Sequence, residues 1–256
     1  MIFESDIGFV DRSAVALLNL VRQVCEHGEV IETAAMKYVK WSVGEGLELW
    51  LRFKDGEPEL LPYPGFAGGS RMKVALLEKT PRQEPLRGDG AFYCRGRACA
   101  GANWVAGRNP FVFDTHNYHA HDGLSLPRVC TIQLTAFAFN MTGYPTEEDF
   151  EEAYPGDEQG FCWDYKHFIP LCMTAPRHEG GELQEASAEV SGYVTDTAII
   201  TNPVTGHDFC WARLETIGGE VDVVCSPDRL SGYLVKGGLA ATTCYLYGRL
   251  IDDDSN

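Results

Sequence analysis

The chain has few of the signatures by which enzymes are recognised. It contains no GxxxxGK loop followed by Ser or Thr, no GxGxxG opening a helix, no GxSxG elbow and no HExxH helix, so phosphate-loop, dinucleotide, serine-hydrolase and zincin chemistry have no sequence-level support. None of its nine cysteines falls in a CxxC, which removes the zinc ribbon and the thioredoxin-like centre. No apolar run approaches the roughly 20 residues of a membrane-spanning helix. The stretch MIFESDIGFVDRS has neither the basic start nor the apolar segment of a secretion signal, so the expectation is a cytoplasmic chain with reduced thiols. Disorder is equally unsupported: 45% of the 256 residues are hydrophobic and 23% charged, the balance of a folded domain with a substantial core.

Basic charge is scarce in one half. The formal net charge is −16, and residues 1–128 hold 15 Lys and Arg against 16 Asp and Glu. Residues 129–256 hold 6 against 21, a net of −15. Such a field repels phosphate backbones and attracts basic partners. Within the first half, residues 71–108 carry eight basic side chains against three acidic ones, enough either to contact an anion or to pair with the acidic half.

Periodicity gives one helix and many strands. DRSAVALLNLVRQVCEH (11–27) places Val15, Leu18, Val21 and Cys25 on one helical stripe, widened by Leu17, Leu20 and Val24, with Asp11 as N-cap and Gly28 as stop. Residues 37–43 and 46–53 alternate around Gly44-Glu45-Gly46 and read as a hairpin; further strands are expected at 72–78, 90–95, 110–114 and 129–140. PGFAGGS (64–70) precedes a strand and reads as a hairpin loop. Pro145-Thr146 followed by EEDFEEAY predicts a short capped acidic helix, then an acidic loop, and FCWDYKHFIPLCM (161–173) is apolar and aromatic enough to pack across a junction. Strands resume at 187–202, 207–216, 219–226 and 238–252. The fold class is therefore α+β, mainly β, with an N-terminal helix and first β module (1–144), an acidic connecting segment (145–186) and a second β module (187–256).

Residues 111–139 and 221–250 share a plan of short strand, Gly-containing loop and long alternating strand rich in Thr and aromatics. Upstream lie LRGDGAFYC (86–94) and EVSGYVTD (189–196), so either a duplication or shared β composition explains the likeness. The stretch EVSGYVTDTAIITNPVTGHDFCWARLETIGGEVDVVCSP, with its entry through Gly192, its hairpin and its Gly218-Gly219 step, resembles the opening of an OB-type barrel. It is also similar to tandem β modules of uncharacterised bacterial families. The resemblance covers about 65 residues and implies two OB-like antiparallel barrels with nucleic-acid or oligosaccharide binding on a barrel face; the acidic balance departs from the nucleic-acid pattern.

Three groups of residues are chemical candidates. DTHNYHAHD (114–122) concentrates His116, His119, His121 and Asp122 near Asp114, and imidazole with carboxylate can ligate a transition metal; the same residues are ordinary in an exposed loop, and the spacing departs from HxHxDH. Arg97, Trp104 and Arg108 form an aromatic and guanidinium grouping suited to a small anionic or saccharide ligand, and Trp104 equally suits a cap on the barrel end. Cys130, Cys210, Cys225 and Cys244 sit in apolar strands as small hydrophobes, and Trp41, Trp50 and Trp211 follow strand alternation. The reading that results is a non-enzymatic, cytoplasmic interaction protein whose acidic half meets a basic protein, as an immunity protein meets a basic toxin, with no required cofactor. A metal-dependent enzyme using the His and Asp cluster and a saccharide-binding barrel face are the competing readings.

Overall fold

The computed structural model describes residues 4–11, 13–54, 56–59, 61–82, 89–96, 109–156, 163–171 and 185–251. Helix α1 (Ala14–His27) forms where expected, but Ser13 is its N-cap, accepting from the Ala16 amide at 3.2 Å, while Asp11 accepts from the Ser13 amide one step earlier. Its buried face is also displaced from the expected stripe. Leu20, Val21 and Val24 are buried, whereas Val15, Leu18 and Cys25 are exposed. Apolar residues occupy most of the helix circumference, so periodicity permits either face, and packing against the first sheet selects one. At the helix end Gly28 lies so close to that sheet that a Cβ would sit 2.3 Å from a Val39 methyl.

That sheet comprises β1 (Glu29–Glu32), β2 (Lys37–Gly44), β3 (Leu47–Lys54), β4 (Glu57–Pro58) and β5 (Tyr63–Phe66), ordered β1-β2-β3-β4 with β5 also on β3. The β2–β3 reversal uses positive φ at Gly44, Glu45 and Gly46, as a tight hairpin demands. The 64–70 segment is not a hairpin loop. It carries the chain from β5 to the second sheet across buried Asp222, where a Cβ on Gly68 would lie 2.0 Å from the carboxylate and where the Ser70 amide donates to it at 2.8 Å.

Among the described residues the second sheet has ten strands: β6 (Met72–Pro81), β7 (Gly90–Gly96), β8 (Asn109–Thr115), β9 (Arg128–Tyr144), β10 (His167–Pro170), β11 (Ser187–Thr201), β12 (Asp208–Glu215), β13 (Glu220–Cys225), β14 (Leu230–Gly232) and β15 (Leu239–Ile251). The strands expected from alternation are all present, and the described residues are α+β and mainly β.

Within this sheet two five-strand circuits share a pair of strands. Strands β6, β7 and β8 form an antiparallel meander, β8 touches β15 in parallel, β15 pairs antiparallel with β9, and β9 returns to β6. Strands β11, β12 and β13 repeat the plan: β13 runs parallel to β9, and β15 returns to β11. Exchanging β6, β7, β8 and β9 for β11, β12, β13 and β15 turns one circuit into the other. The shared plan of 111–139 and 221–250 thus has a counterpart in strand pairing. Its upstream part is shifted, because β7 corresponds to β12, so GAFYC does not match EVSGYVTD. The β8–β15 seam is a single residue pair, Asp114 with Tyr247, so the first circuit is open along most of that edge.

The boundaries drawn at 144 and 187 follow the chain, but in space β9 and β15 join the two repeats along their whole length, from Tyr144–Leu239 to Thr131–Ile251. One apolar core runs through both circuits, including Phe92, Phe113, Phe137, Val190, Phe209 and Leu246. Cys130, Cys210, Cys225 and Cys244 are buried within it. The described part of the 161–173 segment, residues 163–171, packs across the junction, for β10 pairs with β11 and Phe168 lies 5.0 Å from Phe111 of β8 between ring centroids.

Candidate functional site

The residues of the 114–122 cluster do not converge on one point. Asp114 is fully buried and accepts from Arg82 Nη2 at 2.8 Å and from the Tyr245 hydroxyl at 2.7 Å, tying the first repeat to β15. His116 Nε2 donates to the Pro64 carbonyl at 2.7 Å. His119 pairs with Asp122 at 2.9 Å, and its backbone amide donates to the Tyr38 hydroxyl. Asp122 also accepts from Lys79 at 2.9 Å, and the Lys79 and His119 bonds hold its carboxyl below the usual range. His121 stands edge-on to Phe92 at 5.9 Å. Among the described residues no group of three or more His, Cys, Asp or Glu is arranged to hold a metal ion. The turn instead fastens the first repeat to the small sheet, where Tyr38 and Arg52 both bond Asp89. Arg97, Trp104 and Arg108 lie outside the described residues.

Four aromatic residues of the connecting segment, Phe150, Tyr154, Trp163 and Tyr165, do converge. Helix α2 (Glu147–Ala153) starts on a capping box in which the Thr146 hydroxyl accepts from the Asp149 amide while the Asp149 carboxylate accepts from the Thr146 amide. Glu147, Glu148 and Asp149 fill its first turn, where the helix dipole favours negative charge. Phe150 is 1% exposed against Tyr144, and Tyr154, one turn on, lies tilted against it with ring centroids 4.7 Å apart. Across from the helix, Trp163 lies 6.0 Å from Tyr154 and Tyr165 lies 5.7 Å from Phe150, edge to face. Together with Glu151, Gly156 and Asp164 these rings line an open cavity of about 630 Å³.

Charge around this cavity is one-sided. Residues 145–156 and 163–171 contain six carboxylates and one cation, Lys166. Lys166 is already engaged, 2.6 Å from Glu215 and over the Tyr193 ring. The Tyr165 hydroxyl donates to Glu151 and the Tyr193 hydroxyl to Glu147, and these carboxylates push both phenols up to about 12. Burial, with the Tyr144 hydroxyl beside it, does the same for Tyr154. All three phenols therefore stay neutral at physiological pH. The cavity can accept a cation by the faces of its rings and the field of its rim. The sequence carried part of this signal, in the Phe150 to Tyr154 spacing and the aromatic 161–173 segment, but not the fact that the two meet. Compared with protein-family models, curated proteins and solved structures, the chain matches none.

Proposed function

We propose that the protein is a non-enzymatic interaction module that binds a basic protein partner through the cavity between α2 and β10. The observation that carries this reading is the aromatic lining of Phe150, Tyr154, Trp163 and Tyr165 under a rim of carboxylates whose neighbouring cation is already paired. A Lys or Arg side chain of the partner enters the cavity, its alkyl stem against Trp163 and its charge near Glu151 and Asp164. Each ring face contributes about 0.5–2 kcal/mol toward a cation, more as water is excluded. The surrounding negative field raises the encounter rate and makes it salt-dependent. In this reading the two circuits are OB-like barrel modules, supported by the repeated meander and parallel closing strand, and α2 with β10 is an addition that supplies the recognition surface.

The test is a titration of the full chain with a short alternating Lys-Ala peptide, followed by tryptophan fluorescence and calorimetry at rising salt. Binding that weakens with salt, and by about tenfold or more in W163A and in an E147Q/E148Q/E151Q variant, supports the proposal. Affinity unchanged in both variants, with thermal transitions like the wild type's, refutes it.

A further inference from the structure

A second cavity lies elsewhere in the molecule, between the small sheet and the shared β9–β15 pair. Its volume is about 210 Å³, below the ~300–1,000 Å³ of sites for drug-sized ligands, so it admits a ligand of one ring. Its floor is built by strand alternation. Gln133 and Thr135 lie on one face of β9 opposite Arg249 and Tyr247 of β15, in direct cross-strand register. Gln133 and Thr135 are each only 2% exposed, which makes this a polar patch on a face where strands otherwise bury apolar side chains. Trp50 of β3 and His116 close one side, with His116 4.6 Å from the Tyr247 ring and 5.5 Å from Trp50.

The charges of this cavity are spent internally. Arg249 donates to both Glu48 oxygens at 3.0 and 2.6 Å and to Gln133 Oε1 at 3.1 Å. Burial opposes ionisation of Glu48, but the Arg249 guanidinium and the Trp50 indole N–H outweigh it and hold its carboxyl below the usual range. Lys40, at the mouth, lies 3.4 Å from Glu29. His116 Nε2 donates to a carbonyl, so its Nδ1 carries the lone pair, and burial lowers the ring to about 4, keeping it uncharged. The floor's donors are also engaged, Gln133 Nε2 with Thr135 Oγ1 at 2.8 Å and Asp222 at 3.1 Å and the Thr135 hydroxyl with the Phe66 carbonyl at 3.0 Å, so what remains for a ligand is aromatic surface, the second lone pairs of Gln133 Oε1 and Thr135 Oγ1, His116 Nδ1, and the Asn117 amide as a donor.

We propose that this cavity binds a single neutral sugar ring, its apolar face against Trp50 or Tyr247, its hydroxyls donating to the remaining lone pairs of Gln133, Thr135 and His116 and one of them accepting from the Asn117 amide. The site is distinct from the cation-accepting cavity, and its failure would leave that reading untouched.

The experiment is ligand-observed saturation-transfer NMR and thermal denaturation of the full chain with glucose, galactose and mannose, beside glucuronate and inorganic phosphate. At least one neutral hexose is expected to receive saturation and to raise the melting temperature, as any ligand selective for the folded state must. N117A is expected to weaken that hexose by about three- to tenfold, the effect of one neutral hydrogen bond, and Q133L to abolish binding if it folds. No response to any hexose overturns the proposal. So does stronger, salt-sensitive binding of glucuronate or phosphate, which would show that Arg249 and Lys40 are not neutralised, and so does hexose binding unaltered in N117A, which would place the sugar elsewhere.

Discussion

Acidifying the solution tests how His116 is held. Its ring takes a proton with an ordinary value of 6.5 in the unfolded chain and about 4 in the folded one, lowered by burial beneath Tyr247 and Trp50. Below pH 6.5 the unfolded chain therefore binds a proton that the folded chain refuses. The contribution to stability is fully present above 6.5 and is lost as pH falls toward 4. At about 1.4 kcal/mol per pH unit, the loss from this one group is about 2 kcal/mol at pH 5 and about 3 kcal/mol at pH 4 and below. Carboxylates titrate in the same range, so the comparison must be with H116Q, which keeps a donor for the Pro64 carbonyl but has no proton to gain. Urea unfolding of both proteins at pH 7, 6, 5 and 4 gives the difference between them. The wild type is expected to be the more stable at pH 7 and to lose that advantage by pH 5, with H116Q the more stable at pH 4. A difference that stays constant from pH 7 to pH 4 would refute the burial of a neutral imidazole at this position.

Three further outcomes follow from the packing. Leu246 is fully buried on β15 in the core common to both circuits, so L246A should cost about 2–5 kcal/mol and lower one shared transition; two separate transitions by circular dichroism and calorimetry would show that the repeats fold independently. Asp222 is fully buried and accepts from the Ser70 amide, the Gln133 amide and the Trp211 indole, so D222A should cost about 3–5 kcal/mol in urea unfolding by stranding those donors and Arg213, and a cost under about 1 kcal/mol would contradict the network. T146A removes the α2 cap and should lose about 1 kcal/mol and weaken the Lys-Ala peptide, because the helix carries Phe150, Tyr154, Glu147 and Glu151, whereas T146S should restore both; equal peptide affinity in T146A would separate the cap from the cavity.

What the amino-acid order determines here is local. Period-two alternation marked the strands, the Thr146 to Asp149 spacing marked the capped helix, and the two charge totals marked the acidic half, because each depends on neighbours within a turn or two of chain. The tertiary structure decided which strands meet. Nothing in the alternation of 128–144 or 239–251 says that each closes the other repeat's circuit rather than its own, since side-chain period is the same for every partner and the choice rests on burial summed over the whole core. The same holds at the sites. The His residues within 114–122 are close in sequence and take different partners, because a short turn between two sheets points successive side chains at different surfaces. Lys40, Trp50, His116, Gln133 and Arg249 are scattered along the chain and line one cavity, because only the docking of the small sheet onto the shared β9–β15 pair brings them together.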